Sequence, residues 1–138
     1  MLVTAKVAAN LRRSQGECME PLSVVLFQND PRTAQTLALS LSQHFESVHM
    51  ASSREDIRTT VVKNRAEALV LDLETSGPGE VERLHHEFPT LCIVGTHRLA
   101  DDKLWAEAMS LGARDICEPR NEDVVRSVLH GLTHHAIA

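Results

Sequence analysis

The chain has 138 residues, of which 43% are apolar and 3% aromatic, and a formal net charge of −5 with His neutral. That length suits one domain, with an aliphatic core because Phe and Trp number only three and one. The modest acidity excludes the electrostatic footprint of a nucleic-acid binder, the three cysteines at 18, 92 and 117 contain no C-x-x-C pair and suit a reducing compartment, and no stretch approaches the roughly 18 apolar residues of a membrane span.

Residues 1–21 read as a poorly ordered extension, at most weakly helical over 4–11, with no signal-peptide core. From Leu22 the pattern is regular. SVVLF (23–27) is a strand buried on both faces. Asp30 and Pro31 then supply an N-cap and first position for a helix carrying Leu37, Leu41 and Phe45 on its apolar stripe. SVHMA (47–51) is a second strand, and Ser53 with Asp56 makes a capping box for a helix with Ile57 and Val61 inward. ALVLDL (68–73) is the third and most apolar strand, Gly77-Pro78-Gly79 a loop, and Val81, Leu84, His85 and Phe88 a short helix ended by Pro89. LCIVG (91–95) is a fourth strand, followed by a helix capped by Asp101 or Asp102 and stopped by Gly112. ARDIC (113–117) is a fifth, and Asn121 caps a last helix with Val125, Val128, Leu129 and Leu132 on its apolar face. The expected organisation is an extension over 1–21, a domain over 22–133 and a tail over 134–138.

Five β-α repeats predict an α/β domain whose parallel sheet is covered on both faces through right-handed crossovers. Ligands of such sheets bind beyond the carboxyl ends of the strands. Those ends carry Gln28, Asn29 and Asp30, then Asp72, Thr96 and Glu118. A carboxylate, a hydroxyl and several amide and acidic groups therefore converge on one edge.

A carboxylate closing EALVLDL, a hydroxyl closing LCIVGTH, and the segment GARDICEP together resemble the receiver domains of bacterial two-component signalling, the CheY-like superfamily. The resemblance covers roughly residues 22–132. It implies a (βα)5 flavodoxin-like, doubly wound sheet of strand order 2-1-3-4-5. It also implies that Asp72 stands at the phosphoacceptor position and Thr96 at the switch-hydroxyl position. The family's acidic pair, which binds Mg²⁺, falls on Gln28 and Asn29, with only Asp30 still acidic. The family's lysine falls on Glu118, in a turn one residue shorter than usual, and its fifth-strand aromatic on Ile116. Mg²⁺ prefers charged oxygen ligands in near-octahedral geometry, so neutral amides degrade that site. A carboxylate at position 118, about 6 Å from a phosphoryl group, would cost roughly 3 kcal/mol at an effective dielectric of about 20. Arg98, Arg120 or His97 is a candidate substitute cation.

The resemblance further implies an interaction face formed by the fourth helix, fifth strand and fifth helix, comprising Lys103, Leu104, Trp105, Ile116, Arg120 and Val124. His130 and His134 are four apart but read as a solvated helix end, and Cys92 and Cys117 as small core residues. These observations lead to a stand-alone, cytoplasmic, non-enzymatic pseudo-receiver with no output segment, no nucleic-acid or membrane partner and no cofactor. It would bind a histidine kinase, an effector or a second copy of itself, with phosphorylation at Asp72 weak or absent. Two alternatives are an ordinary receiver phosphorylated at Asp72 by a histidine kinase, and a small-ligand binder or enzyme on the same scaffold.

Overall fold

The computed structural model describes residues 20–137, with side chains over 22–132. Its elements run β1 (Glu20–Phe27), α1 (Pro31–Ser42), β2 (Phe45–Met50), α2 (Arg54–Asn64), β3 (Ala68–Asp72), α3 (Leu73–Ser76), α4 (Pro78–Glu87), β4 (Cys92–Thr96), α5 (Asp102–Ser110), β5 (Asp115–Cys117) and α6 (Asn121–Ile137). The five strands form one parallel sheet in the order β2-β1-β3-β4-β5. This is the doubly wound flavodoxin-like arrangement.

Strand side chains alternate between two faces, so each apolar run feeds two cores. Val25, Leu69, Leu71 and Ile93 face α2, α4 and α5, where Ile57, Val61, Val81, Leu84 and Ala108 meet them. Val24, Leu26, Val70 and Val94 face α1 and α6, where Leu37, Leu41, Val124 and Val128 meet them. All five residues of β3 are buried. Burial on both faces explains why this strand has no polar alternation until Asp72.

The expected caps form. Asp30 accepts from the Thr33 N–H at the start of α1, Ser53 from Asp56 at α2, and Asp101 from Leu104 at α5. Gly112 follows α5 at φ 120°, where the His85 ring occupies the space of the missing Cβ, 2.4 Å from its ideal position. A side chain there would meet both a disfavoured backbone and that ring.

Several expectations need correction. Gly77-Pro78-Gly79 is not a loop: Leu73–Ser76 forms one helical turn, and Pro78 opens α4, taking the first helical position where its missing N–H costs nothing. β1 begins at Glu20, earlier than expected, because Glu20 pairs with Phe45. α6 begins at Asn121 itself and extends to Ile137, through residues read as a tail. Residues 1–19 of the expected extension lie outside the described residues. Ile116 and Val124, assigned to an interaction face, are buried in the two cores. Placing them outside required knowing which side of β5 and α6 the sheet covers, which periodicity over three strand residues does not reveal.

Candidate functional site

Parallel register brings the ends of β1, β3 and β4 level. Phe27 pairs with Leu71, and Asp72 with Thr96. Gln28 therefore leaves β1 beside Asp72. Asp72 ends β3 at 6% exposure and turns the chain into α3. Both oxygens of its carboxylate hold a partner: Oδ2 accepts the Asn29 backbone N–H at 3.0 Å, and Oδ1 accepts the Glu74 backbone N–H at 3.0 Å. Thr96 is 1% exposed. Its hydroxyl accepts from Gln28 Nε2 at 2.6 Å and approaches the Leu71 carbonyl at 3.5 Å.

A cleft of about 280 Å³ opens over this edge, lined by Gln28, Asn29, Asp30, Thr33, Asp72, Glu74, Thr75, Arg98 and Pro119. Asp30 lies on its rim with its carboxylate held by the Thr33 hydroxyl at 2.6 Å and N–H at 2.9 Å. Those bonds, the hydroxyl's foremost, lower its pKa from the usual 3.8.

The cation of the cleft is Arg98. Its Nη2 lies 2.9 Å from Glu74 Oε1, and its backbone N–H donates to Glu74 Oε2 at 3.1 Å. The guanidinium hydrogen bond lowers the Glu74 pKa from 4.5, and the same bond raises that of Arg98. Sequence spacing offered Arg98 only as one of three cations, and Glu74 not at all. A basic residue two positions past the fourth-strand hydroxyl, with an acid two past the third-strand carboxylate, was the available signal.

Not every anticipated residue joins the edge. Glu118 is absent from the cleft lining and pairs with Arg120 at 2.7 Å, while its neighbour Pro119 takes the cleft position. His97 accepts the Leu99 N–H through Nδ1 at 3.0 Å. On the expected interaction face, Lys103 is exposed, Leu104 packs partly against the core, Arg120 is exposed, and Trp105 is 47% exposed. Leu99, missed by the sequence reading, is 78% exposed on the loop before it.

Away from this edge, burial pushes the thiols of Cys92 and Cys117 up to about 11, so neither is a ready nucleophile. Among the described residues no group of three or more His, Cys, Asp or Glu side chains could hold a metal ion, and no helix is long and apolar enough to cross a membrane.

No family model matches the chain, and no curated protein matches it. Solved structures do. A response regulator from Thermotoga maritima superposes with a TM-score of 0.72 at 18% identity, covering 83% of this chain and 99% of that one. A two-component response regulator from Clostridium difficile gives 0.70 at 16% identity, covering 85% and 99%. The BeF3-activated DrrB receiver domain gives 0.69 at 18% identity, covering 82% and 98%. The fold of the chain is thus that of response regulator receiver domains.

Proposed function

We propose that this domain works in the cytoplasm as a receiver-like signalling module that acts by binding protein partners, with phosphorylation at Asp72 weak or absent. One observation carries this reading: four polar side chains at this edge, Asp72, Thr96, Asp30 and Glu74, already hold partners within the protein. Asp72 has both oxygens on backbone N–H groups. Thr96 is held by an amide. Asp30 is engaged by Thr33, and Glu74 by Arg98.

Mg²⁺ fits this edge poorly. It calls for charged oxygens in near-octahedral geometry, whereas Gln28 and Asn29 offer neutral amides where an acidic pair would stand, and Glu74 is held by Arg98. Without a metal to screen it, an anionic donor would approach the Asp72 carboxylate against like charge. Partner binding asks none of this, and Leu99 and Trp105 offer apolar surface beside the site.

Incubation with a small acyl phosphate and Mg²⁺, read by intact mass, tests the proposal. Wild type should remain unmodified, and the same protein should show no saturation by Mg²⁺ below the millimolar range in amide shifts near Asp72. A phosphoryl adduct abolished by Asp72→Asn would overturn the proposal. It would favour an ordinary phosphoacceptor served by a histidine kinase, a reading that the in-register pairing of Asp72 with Thr96 keeps in play.

A further inference from the structure

β1 and β4 are not neighbours in the sheet, because β3 lies between them. Gln28 nevertheless donates from Nε2 to the Thr96 hydroxyl at 2.6 Å, so its side chain bridges from β1 to β4 across the end of β3. Next to it, the Asn29 N–H donates to Asp72 Oδ2, and Asp72 Oδ1 takes the Glu74 N–H. The Glu74 carboxylate then holds Arg98 through both guanidinium and backbone. Arg98 lies two residues beyond Thr96, and the circuit closes.

The loop 97–101 is thereby pinned where it leaves β4 and again at Arg98. Its far end is fixed by Asp101, whose carboxylate accepts the Leu104 N–H at 2.9 Å and whose carbonyl accepts the Trp105 N–H at 2.9 Å. None of these bonds requires a bound group.

We infer that Gln28 and Arg98 are positioning residues: they hold the loop 97–101 and the first turn of α5 in one arrangement without any ligand or modification. The inference rests on the partner-binding reading for its purpose, since it gives the surface carrying Leu99 and Trp105 a permanent shape. The bonds run from 2.6 Å at Gln28–Thr96 to 3.1 Å at the Arg98 N–H, and together they span three strands. Removing the Gln28 amide leaves the buried Thr96 hydroxyl with only its 3.5 Å approach to Leu71. Removing the Arg98 guanidinium takes away the side-chain anchor of the loop, leaving only the backbone bond to Glu74, and does not touch the sheet.

The only tryptophan of the chain is Trp105, so its fluorescence reports on this segment alone. Acrylamide quenching of Trp105 and amide hydrogen exchange over 97–105 should be compared in wild type, Gln28→Ala, Arg98→Ala and Arg98→Lys. Arg83→Ala, whose ion pair with Glu80 lies on α4, serves as the control. The Gln28→Ala and Arg98→Ala variants should raise exchange over 97–105 by about fivefold, with Trp105 more open to quencher, while β3 amides keep wild-type protection. Arg98→Lys should fall between them and wild type, and Arg83→Ala should match wild type. Wild-type behaviour in both alanine variants, or exchange raised equally across the sheet, would overturn the positioning role. The measurement uses no phosphodonor. Labelling of Asp72 would therefore remove the proposed function without touching this result, and an unaltered loop would remove this inference without touching that function.

Discussion

The Asn29 backbone N–H and the Asp72 carboxylate are joined at 3.0 Å, which ties the β1–α1 turn to the end of the central strand. With the Glu74 N–H on the other oxygen, Asp72 serves as a two-handed acceptor as well as a cap for α3. An amide in its place has one acceptor and turns a donor toward one of those N–H groups.

Asp72→Asn should therefore destabilise the fold by about 1 kcal/mol, the net worth of one buried hydrogen bond. Urea unfolding checks it, read as a lower midpoint at unchanged slope. An unchanged or raised midpoint would show that charge relief beside Glu74 and Asp30 outweighs the lost bond.

Restoring charged ligands should restore some reactivity. Gln28→Asp with Asn29→Asp rebuilds an acidic pair beside Asp72 and also removes the amide that occupies Thr96. Glu118→Lys, added to these, should contribute least, because position 118 pairs with Arg120 outside the cleft lining. Given a small acyl phosphate and Mg²⁺, the triple variant should gain one phosphoryl mass while wild type does not. The adduct should vanish when Asp72→Asn is added. Equal labelling of wild type and triple variant would contradict a degraded site.

Self-association is expected through the surface of α5 and the loop before it, involving Leu99, Lys103 and Trp105, and independent of phosphorylation. Ile116 and Val124 play no part, being core residues. Sedimentation of wild type and Trp105→Ala decides the matter. The variant should shift toward monomer, and a wild type that stays monomeric at high concentration would rule the contact out.

Acid should release the loop before it unfolds the domain. The Arg98 hydrogen bond holds the Glu74 pKa below its ordinary 4.5. A carboxylate lowered on folding contributes stability above its unfolded value and loses it as pH falls through the folded one. Trp105 quenching should show a rise as pH falls below about 4.5, set by the Glu74–Arg98 pair. Arg98→Ala should lack that step. Far-UV circular dichroism recorded on the same samples separates this local event from global acid unfolding.

The sheet was plain in the sequence because parallel strands are apolar on both faces. SVVLF, ALVLDL and LCIVG stand out as uninterrupted runs. The caps at Asp30, Ser53 and Asp101 were equally legible, since each bond is made within three residues. Asp72 and Thr96 could be placed on one edge because both close such runs. The circuit joining them could not be foreseen. Gln28 and Thr96 are 68 residues apart, and no periodicity reveals which side chain reaches across a neighbouring strand. Nor does the sequence reveal that Pro119 lines the cleft while Glu118 pairs with Arg120. Pro78 was misread because glycines on both sides look like a loop, although proline is at home in a first helical turn.

The two borders of the sheet are unequal. β2 runs six residues, Phe45–Met50, whereas β5 at the opposite border has only three, Asp115–Cys117. A border strand that short presents too little free main chain to template another strand, which is one way natural sheets resist uncontrolled stacking into fibres. Any association on the β5 side must therefore be built from side chains and is sensitive to point changes in them. Main-chain zippering, which tolerates almost any sequence, is confined to the β2 side.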